Sequence, residues 1–435
     1  MKERLQNMEK DIDKFTQNLL GFQVVEERIE LKDTGERCSP SRLARLSLRR
    51  RRKAEIHLTV VRKEFRCPFC GSRNVSAYGV RDRTVKGVPN GNIPVSIHFT
   101  SHRIYCRECG EVGGEAFAFL PSPKSRITRQ LAQTIVALRS QMSIKAIADF
   151  YGLPWNLVKD TEKNQLRKDY AHVPLKRVRA IGIDEIYVFR TAESDAKYVT
   201  VVRDLETGDV LFVGDGKGEA ALAEFSRRLR RWRRHITCVC MDMSNAYSAW
   251  VEKNLPNAET VFDHFHVIKA MNDALDRVRR RTAAKADEET RKLLKGNRRL
   301  LTGNREDLSD AGKASLMEMR RNFGELSDAY GLKEHLRAIY DFARIDYSAR
   351  LLLEDWCETA RATKVPELVS MAKMVEGHMV GILGFWRHGR ASNAKMEGFN
   401  NKIRWLVSQA YGIRDREYFK LKVYSLPQTD IKKAI

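Results

Sequence analysis

The chain has 435 residues, of which 43% are hydrophobic and 31% are charged, a composition typical of a folded protein with roughly two to four domains. No apolar run approaches about 18 residues and the first ten residues are rich in charge, so we expect no membrane span, no signal peptide and a cytoplasmic location. Lysine and arginine outnumber aspartate and glutamate by 79 to 56, a net charge of +23. This surplus is concentrated in basic runs at 42–53, 227–235, 277–281 and 291–299, which favours nucleic acid as the partner.

Residues 1–58 are predicted to form an amphipathic helix followed by a basic arm. Apolar residues recur at intervals of three and four over 4–20, and Gly21 suits the end of that helix. The helix either packs on its own domain or forms a short dimer seam, and the pattern leaves both open. Residues 32–53 have the composition of a loop followed by a basic helix or arm.

Two cysteine pairs, CPFC at 67–70 and CREC at 106–109, have the spacing of metal-binding knuckles. The strand-like stretch IPVSIHFTSHRIY, at 93–105, lies between them. We therefore predict a zinc ribbon over 59–115 with one structural Zn²⁺. Its ligands are Cys67, Cys70, Cys106 and Cys109. His98 and His102 are not expected to bind this ion, because four thiolates already complete a tetrahedral site.

Residues 124–170 are predicted to form a helix-turn-helix domain. In SIKAIADFYGLPWNLVKD, at 143–160, a serine cap begins one helix, Gly152 makes the turn, and a second helix follows. Trp155, Asn156 and Lys159 lie near the start of this second helix and are the candidate DNA contacts. A helical hairpin also occurs in ordinary α domains, but the neighbouring ribbon and basic arm favour a DNA reader.

From residue 178 the hydrophobic period changes to that of strands. Short β-rich runs at 179–189, 197–204, 209–215, 235–242 and 258–265 alternate in part with helices at 218–233 and 246–254, which predicts a mixed sheet with helices on it. Residues 267–380 have a helical pattern without strand signals. Arg231 and Arg234, in the second basic run, are further candidate DNA contacts, whereas Trp232 between them suits packing.

Two aspartates end buried strands of this sheet. Asp184 follows AIGI and Asp242 follows CVCM, and a carboxylate at such a position is unfavourable unless it is paired or bound to a metal. Capping of the next helix is the alternative for Asp242, but another strand follows Asp184, so capping does not account for it. A glutamate on a C-terminal helix adds a third carboxylate, and such a set suits two divalent cations for phosphodiester cleavage.

The stretch SNAKMEGFNNKIRWL, at 392–406, is predicted to be that helix. Met396, Phe399, Ile403 and Leu406 form an apolar stripe that we expect to dock on the sheet, with Glu397 on the polar side facing the aspartates. Other polar residues of the segment are candidate contacts to the carboxylate or to DNA phosphates: Asn393, Asn401, Lys402 and Arg404.

The stretches IGIDE, VCMDMSNAY, VFDHFHVIKAMNDALDRVRR and SNAKMEGFNNKI together resemble bacterial insertion-sequence transposases of the ISL3 family. The resemblance covers roughly residues 60–425 and includes the zinc ribbon and the helix-turn-helix. It implies a multidomain α/β protein with an RNase H-like catalytic core of the DDE type. The core would be divided into 178–266 and 386–425 by a helical insertion at 267–385.

The resemblance also implies the catalytic residues and their cofactor. Asp184 and Asp242 match the two family aspartates, and Glu397 matches the glutamate of the NAxxEGxNN segment. Together they would bind two Mg²⁺ ions, for which Mn²⁺ can substitute. Asp263, His264 and His266 also match a family segment, which suggests a place beside the site without fixing a role.

The expected function is that of a DDE transposase. It would bind the terminal inverted repeats of an insertion sequence, cleave there, and join the exposed 3′ hydroxyl to target DNA. Its partners would be double-stranded DNA at the element ends and at the target, and a second copy of the chain, because two ends must be cut together in a homodimer or higher oligomer. The alternatives are a catalytically silent DNA-binding regulator derived from a transposase and a stand-alone nuclease of the same fold.

Overall fold

The computed structural model describes residues 24–32, 53–60, 64–89, 94–189, 197–391, 394–410 and 414–428. The chain divides into two compact units, a first that ends at Asp169 and a second from Tyr170 to Thr429. The predicted amphipathic helix at 4–20 and most of the basic arm at 32–53 lie outside the described residues, as does Asn393.

The first unit contains a five-stranded sheet. Its strands are β1 (Val24–Lys32), β2 (Lys53–Val60), β3 (Val75–Lys86), β4 (Val95–Cys106) and β5 (Val112–Gly114). The order is β1-β2-β4-β3, with β5 paired to β4; β2 and β4 are parallel and the other pairs are antiparallel. β1 and β2 were not predicted from the sequence. The ribbon strands are therefore part of a wider sheet.

The two faces of this sheet differ in character because successive side chains of a strand point to opposite sides. One face carries Ile56, Ile97 and Phe99, which pack with the loop residues Phe117 and Phe119 in a small aromatic core. The other face carries the polar neighbours of these residues, among them Glu55, His57 and His98. The side chain of Glu55 is nevertheless only 8% exposed.

Three helices complete the first unit: α1 (Arg129–Leu138), α2 (Ile144–Tyr151) and α3 (Trp155–Asp169). Ser143 caps α2 by accepting a hydrogen bond from the amide of Ala146, and Gly152 ends it in the left-handed conformation, φ 60°. α2 and α3 are thus the two helices of the predicted helix-turn-helix. A buried ion pair of 2.6 Å between Arg139 and Glu162 fixes α3 to the end of α1.

The second unit is built on a mixed five-stranded sheet. Its strands are β6 (Ala180–Tyr187), β7 (Tyr198–Asp204), β8 (Val210–Asp215), β9 (Cys238–Met241) and β10 (Glu259–Phe262), in the order β10-β9-β6-β7-β8. β6, β7 and β8 are antiparallel neighbours, whereas β9 and β10 run parallel to β6. This is the order and direction of strands in an RNase H-like sheet, and the predicted fold class is confirmed.

Three helices connect these strands: α4 (Gly218–Ala221), α5 (Ala223–Leu229) and α6 (Asn245–Asn254). The single helix predicted over 218–233 is broken at Leu222, where ψ is 0°, and ends at Leu229. Arg230 to Arg234 form turns instead. Trp232 is partly buried against the core, as its predicted packing role requires.

After β10 the chain is helical, and no strand occurs among the residues described between Asp263 and Ala391. The helices are α7 (His264–Lys285), α8 (Glu288–Gly296), α9 (Arg298–Thr302), α10 (Asp310–Asn322), α11 (Gly324–Phe342), α12 (Asp346–Ala362), α13 (Pro366–Gly377) and α14 (Met379–Arg387). In their midst the ammonium of Lys333, 1% exposed, donates hydrogen bonds to the carbonyls of Leu301 (3.1 Å) and Gly303 (2.6 Å) at the end of α9.

The last helix of the insertion returns to the strand from which the insertion departs. A Cβ at Gly381 would lie 2.5 Å from the ring of Phe262, and one at Gly384 would lie 3.0 Å from Val261. Because neither glycine has a side chain, α14 packs directly against the edge strand β10.

Two final helices, α15 (Ala394–Gln409) and α16 (Arg416–Ser425), pack on the antiparallel part of the sheet. Met396, Phe399 and Ile403 of α15 are buried in a core with residues of β6, β7, β8 and α16, and Leu406 is partly buried there. The predicted docking of the apolar stripe of α15 on the sheet is confirmed.

Among the described residues, no single helix has both the length and the apolar composition needed to cross a membrane. α13 and α14 meet that criterion only when they are taken together, across a bend of 62°.

Candidate functional site

The four cysteines of the first unit converge as a tetrahedral metal site requires. The Sγ atoms of Cys67 and Cys109 are 3.7 Å apart and those of Cys70 and Cys106 are 3.6 Å apart. Four thiolates at about 2.3 Å from a tetrahedral Zn²⁺ have sulfur–sulfur separations of about 3.8 Å. The spacing therefore fits a zinc ion without rearrangement.

The knuckle backbone prepares one of these thiols for metal binding. Desolvation raises the pKa of Cys67, but hydrogen bonds from the backbone amides of Cys70 and Phe69 outweigh it and bring the pKa to about 6. A cysteine binds metal as a thiolate, so this lowered pKa favours the form that coordinates.

In the second unit, strand register brings Asp184 and Asp242 to neighbouring positions. β6 and β9 are parallel, and Gly182 lies opposite Cys240. Two residues further along each strand are Asp184 and Asp242, which therefore lie next to each other on the same face of the sheet. Burial and the negative charge of Asp242 raise the pKa of Asp184 to about 6. Ser244, one of the two residues expected to cap the following helix, lies at the N-cap of α6 without a side-chain capping hydrogen bond, so Asp242 is not the residue at the N-cap of this helix.

Asp184 is held by two hydrogen-bond donors. One carboxylate oxygen accepts the backbone N–H of Glu185 at 2.8 Å, and the other accepts the side-chain amide of Asn400. Asn400 is only 5% exposed, and its Oδ1 is buried without a hydrogen-bond partner among the described residues. An acceptor oxygen thus lies beside Asp184 with no donor assigned to it.

Asp242 is paired with a histidine from the next element. β10 is parallel to β9 and ends at Phe262, so Asp263 follows beside Asp242 and α7 begins there. The Nδ1 of His266 forms an ion pair at 2.8 Å with Asp242 and lies 3.5 Å from Asp263. Partial burial lowers the pKa of His266, but these two carboxylates outweigh it and raise it to about 9.

Asp263 itself is a buried residue that caps α7. Its carboxylate accepts the amide of Phe265 at 3.4 Å, and it is 3% exposed. Burial raises its pKa, but His264 and His266 hold the pKa well below the ordinary range. Asp263 is therefore an anion that holds His266 against Asp242.

Glu397 lies on α15 three residues before Asn400, on the same side of the helix, and its side chain is exposed. Metal-binding side chains converge to within 4.8 Å at two places in the described part of the chain, and Asp184, Asp242 and Glu397 are not one of them. The structure therefore brings the two aspartates together and connects them to α15 through Asn400, while Glu397 remains outside a compact ligand set.

Glu185 follows Asp184 on β6, so its side chain lies on the opposite face of the sheet. Its carboxylate accepts hydrogen bonds from the Tyr247 hydroxyl, at 2.5 Å, and from the Gly218 amide, at 3.2 Å. Tyr247 also lies 3.1 Å from Thr200. These contacts give Glu185 a structural role, holding α6 to the sheet.

Two of the three predicted DNA contacts of α3 are exposed. Trp155 is 49% exposed and Asn156 is exposed, whereas Lys159 is half-buried, with its ammonium 3.5 Å from Asp160 and 5.9 Å from the Trp155 ring centre. Both predicted arginines of the second basic run, Arg231 and Arg234, are exposed.

On α15, Asn401 and Arg404 are exposed and hydrogen-bonded to each other at 2.7 Å, and Lys402 is half-buried. None of these three is the residue that reaches Asp184.

Sequence reasoning missed two residues of the site, Asn400 and His266, as partners of the aspartates. Asn400 carried one available signal, because it lies one helical turn from Glu397 in the same polar stripe. His266 was noted beside Asp263, but its contact with Asp242 depends on which strand lies next to β9.

An RNase H-like sheet interrupted by a helical insertion, with aspartates on its central strands and a zinc ribbon and helix-turn-helix before it, defines the class of DDE transposases. The ISL3 DDE family model, described as a transposase, matches residues 181–423, and a model described as the zinc finger of transposases IS204/IS1001/IS1096/IS1165 matches residues 63–109. The chain belongs to the ISL3 family of insertion-sequence transposases.

Two curated relatives extend over most of the chain. The transposase for insertion sequence element IS1001 of Bordetella parapertussis is 30% identical over 86% of this chain and 91% of its own length. The transposase for element IS1557 of Mycobacterium tuberculosis is 28% identical over 80% and 82%. Among solved structures, the Drosophila P element transposase strand transfer complex aligns with 70% of this chain and 92% of its own at 11% identity, with a TM-score of 0.38.

Proposed function

We propose that this transposase binds the terminal inverted repeats of its element and catalyses DNA strand cleavage and strand transfer at Asp184, Asp242 and Glu397. The observation that carries the proposal is the pair of aspartates on adjacent strands, one of which is bonded to the helix that bears Glu397. The charge of Asp242 raises the pKa of Asp184, because the two carboxylates repel each other when both are ionised. A divalent cation bound to both carboxylates would relieve this repulsion.

The donor set fits hard divalent cations. It offers carboxylate oxygens and the buried amide oxygen of Asn400, and oxygen ligands are those that Mg²⁺ prefers. We assign two Mg²⁺ ions, with Mn²⁺ as a substitute, to Asp184, Asp242 and Glu397. When bound, such ions lower the barrier to attack on a phosphodiester by stabilising the attacking and leaving oxygens.

The remaining work belongs to side chains of this protein. Asn400 donates to Asp184 and fixes the direction of its carboxylate, and His266 does the same for Asp242 through an ion pair. Glu397, exposed on α15, joins the aspartates when side chain and helix adjust to the substrate. Catalytic contacts are commonly long before substrate binds and shorten in the reactive complex.

DNA reading is assigned to the first unit. The start of α3, where Trp155 and Asn156 are exposed and Lys159 is half-buried beside them, suits insertion into the major groove. We assign DNA reading to the zinc ribbon at 59–115 and the helix-turn-helix at 124–170 together. Arg231 and Arg234 on the second unit, and Asn401, Lys402 and Arg404 on α15, suit contact with the phosphate backbone. Asn393, which lies outside the described residues, is assigned the same role from the sequence alone. Two element ends are cut together, so we infer a homodimer or higher oligomer on DNA.

The proposal is tested with the full chain on labelled duplexes that carry the element end. Glu397→Gln, Asp184→Asn and Asp242→Asn should bind these duplexes as tightly as the wild type and lose Mg²⁺-dependent cleavage. Glu358→Gln, an exposed glutamate of α12, is the matched control and should cleave normally. Glu397 and Glu358 are exposed, so their substitutions change stability by only about 0.5 kcal/mol. Asp184 and Asp242 are half-buried, so calorimetric melting must establish that their variants are folded.

Two outcomes would contradict the assignment. Cleavage by Glu397→Gln at the wild-type rate would remove Glu397 from the catalytic set. Binding of the ends by a wild-type protein that never cleaves them, with Mg²⁺ or Mn²⁺, would instead identify a regulator that has kept the fold.

A further inference from the structure

Apart from the four-cysteine site and the catalytic site, three metal-binding side chains meet on the polar face of the first sheet. His57 of β2 is the register partner of His98 on the parallel strand β4, and Glu55 precedes His57 by two residues on the same face. The rings of the two histidines are stacked, with centroids 4.7 Å apart and planes inclined by 14°. One potential ligand atom from each of the three residues lies within 4.8 Å of the others.

In both histidines, Nε2 is the ring nitrogen that is placed to bind a metal ion. The Nδ1 of His98 lies 3.0 Å from the hydroxyl of Thr84, its register partner on β3, and an imidazole held through Nδ1 binds an ion through Nε2. The Nε2 of His57 is buried and has no hydrogen-bond partner in the described part of the chain. A buried ring nitrogen of this kind is unfavourable unless something coordinates it.

Two neutral imidazoles and one carboxylate carry a single negative charge and a mixed nitrogen and oxygen donor set. This set suits Zn²⁺ or another first-row transition ion rather than Mg²⁺ or Ca²⁺, which take oxygen ligands. Ligands at about 2.1 Å in a tetrahedral arrangement lie about 3.4 Å apart, so side-chain rotation alone closes the cluster around an ion.

This cluster is distinct from the four-cysteine site of the ribbon. His98 and Cys106 are eight residues apart on β4, which at about 3.3 Å per residue places them about 26 Å from each other along the strand. The four thiolates also complete their own tetrahedral site, so the ribbon has no need of a histidine.

We propose that Glu55, His57 and His98 form a second transition-metal site, which joins β2 to β4 and so fixes the strand that precedes the ribbon. Nothing in the transposition chemistry requires this ion. Its expected role is structural, because two ligands from one strand and one from its neighbour form a cross-link between segments that are about 40 residues apart in the chain.

Metal content of the full-length protein tests the proposal. Protein saturated with Zn²⁺ in the presence of excess Mg²⁺, which keeps Zn²⁺ out of the catalytic carboxylates, and then desalted should contain two Zn²⁺ ions per chain, and His57→Ala or His98→Ala should contain one. His102→Ala is the matched control: His102 lies on β4 as well, but it contacts Glu115 at 3.3 Å and stands outside the cluster, so it should retain two. Substitution with Co²⁺ separates the sites, because only the ribbon gives an intense thiolate charge-transfer band.

Thr84→Val provides a second variant in case removal of a histidine prevents folding. It keeps all three ligands and removes only the hydrogen bond to Nδ1 of His98, so affinity for the second ion should fall about 10- to 100-fold while the ribbon ion is unaffected. One ion per wild-type chain at saturating Zn²⁺, or two ions retained in His57→Ala, would overturn the proposal.

Discussion

Removal of the Asn400 side chain should impair cleavage far more than folding. Asn400→Ala deletes the amide that donates to Asp184 from the helix bearing Glu397. A hydrogen bond to a charged group contributes about 1.5–3 kcal/mol. If that contribution orients Asp184 in the transition state, the cleavage rate should fall about 10- to 100-fold.

The effect on stability should be smaller because two contributions oppose each other. The variant loses the hydrogen bond to Asp184, but it also removes Oδ1, an acceptor that is buried without a partner among the described residues. An unsatisfied buried group costs about 1–3 kcal/mol, a magnitude similar to that of the lost bond. The free energy of unfolding should therefore change by about 1 kcal/mol or less.

Single-turnover cleavage of a labelled element end at saturating protein measures this effect without a contribution from binding. Gln409→Ala is the matched control, since Gln409 is an exposed residue at the far end of α15 and has no assigned contact with the aspartates or with DNA. A rate for folded Asn400→Ala within twofold of the wild type, or an equal loss in Gln409→Ala, would refute the positioning role. Calorimetric melting of both variants establishes that they are folded.

Three further predictions concern stability. Lys333→Met leaves two buried carbonyls without their donor and should lower the free energy of unfolding by about 3 kcal/mol in urea titration. Glu162→Ala removes the carboxylate that pairs with the half-buried Arg139, which keeps its hydrogen bond to the carbonyl of Met142, so thermal melting of the first unit should shift downward by the equivalent of about 2 kcal/mol; an unchanged melting temperature would mean that water replaces the carboxylate. The pKa of His266 is raised from 6.5 to about 9 in the folded protein. The ion pairs of protonated His266 therefore contribute about 3 kcal/mol to the free energy of unfolding below pH 6.5, and this contribution is lost as the pH rises through 9. In chelator, the stability difference between wild type and His266→Gln should therefore shrink over that range, and a difference independent of pH would contradict the assignment.

Features set by local sequence could be predicted. Three such features depend on only a few neighbouring residues, and the structure agrees with the predictions made from them. They are the spacing of the cysteine pairs, the caps of α2, and the apolar runs that form the sheet of the second unit. The positions of Asp184 and Asp242 at the ends of apolar runs likewise followed from the sequence, since a buried strand ending in a carboxylate requires a special explanation.

Features set by long-range pairing could not be predicted. β2 pairs with β4, which lies about 40 residues further along the chain. The basic run at 42–53 directly before β2 indicated an arm, so β2 was not predicted as a strand. The contact of His266 with Asp242 depends on β10 lying beside β9, and that of Asn400 with Asp184 depends on the rotation of α15 about its axis. A rotation of one residue position, about 100°, would have presented Asn401 instead.

The close packing of α14 on β10 bears on how transposases of this architecture vary. The helical insertion departs at Asp263, directly after β10, and returns to the same strand at Gly381 and Gly384. Because both ends are fixed to one edge of the sheet, helices between them can be gained or lost without moving the segment that leads to α15. Chain closure depends only weakly on length, so such changes have a small entropic effect. The same packing places α14 against an edge strand, with Gly384 close to the backbone carbonyl of Thr260, and a helix beside an edge strand hinders strand pairing with another chain.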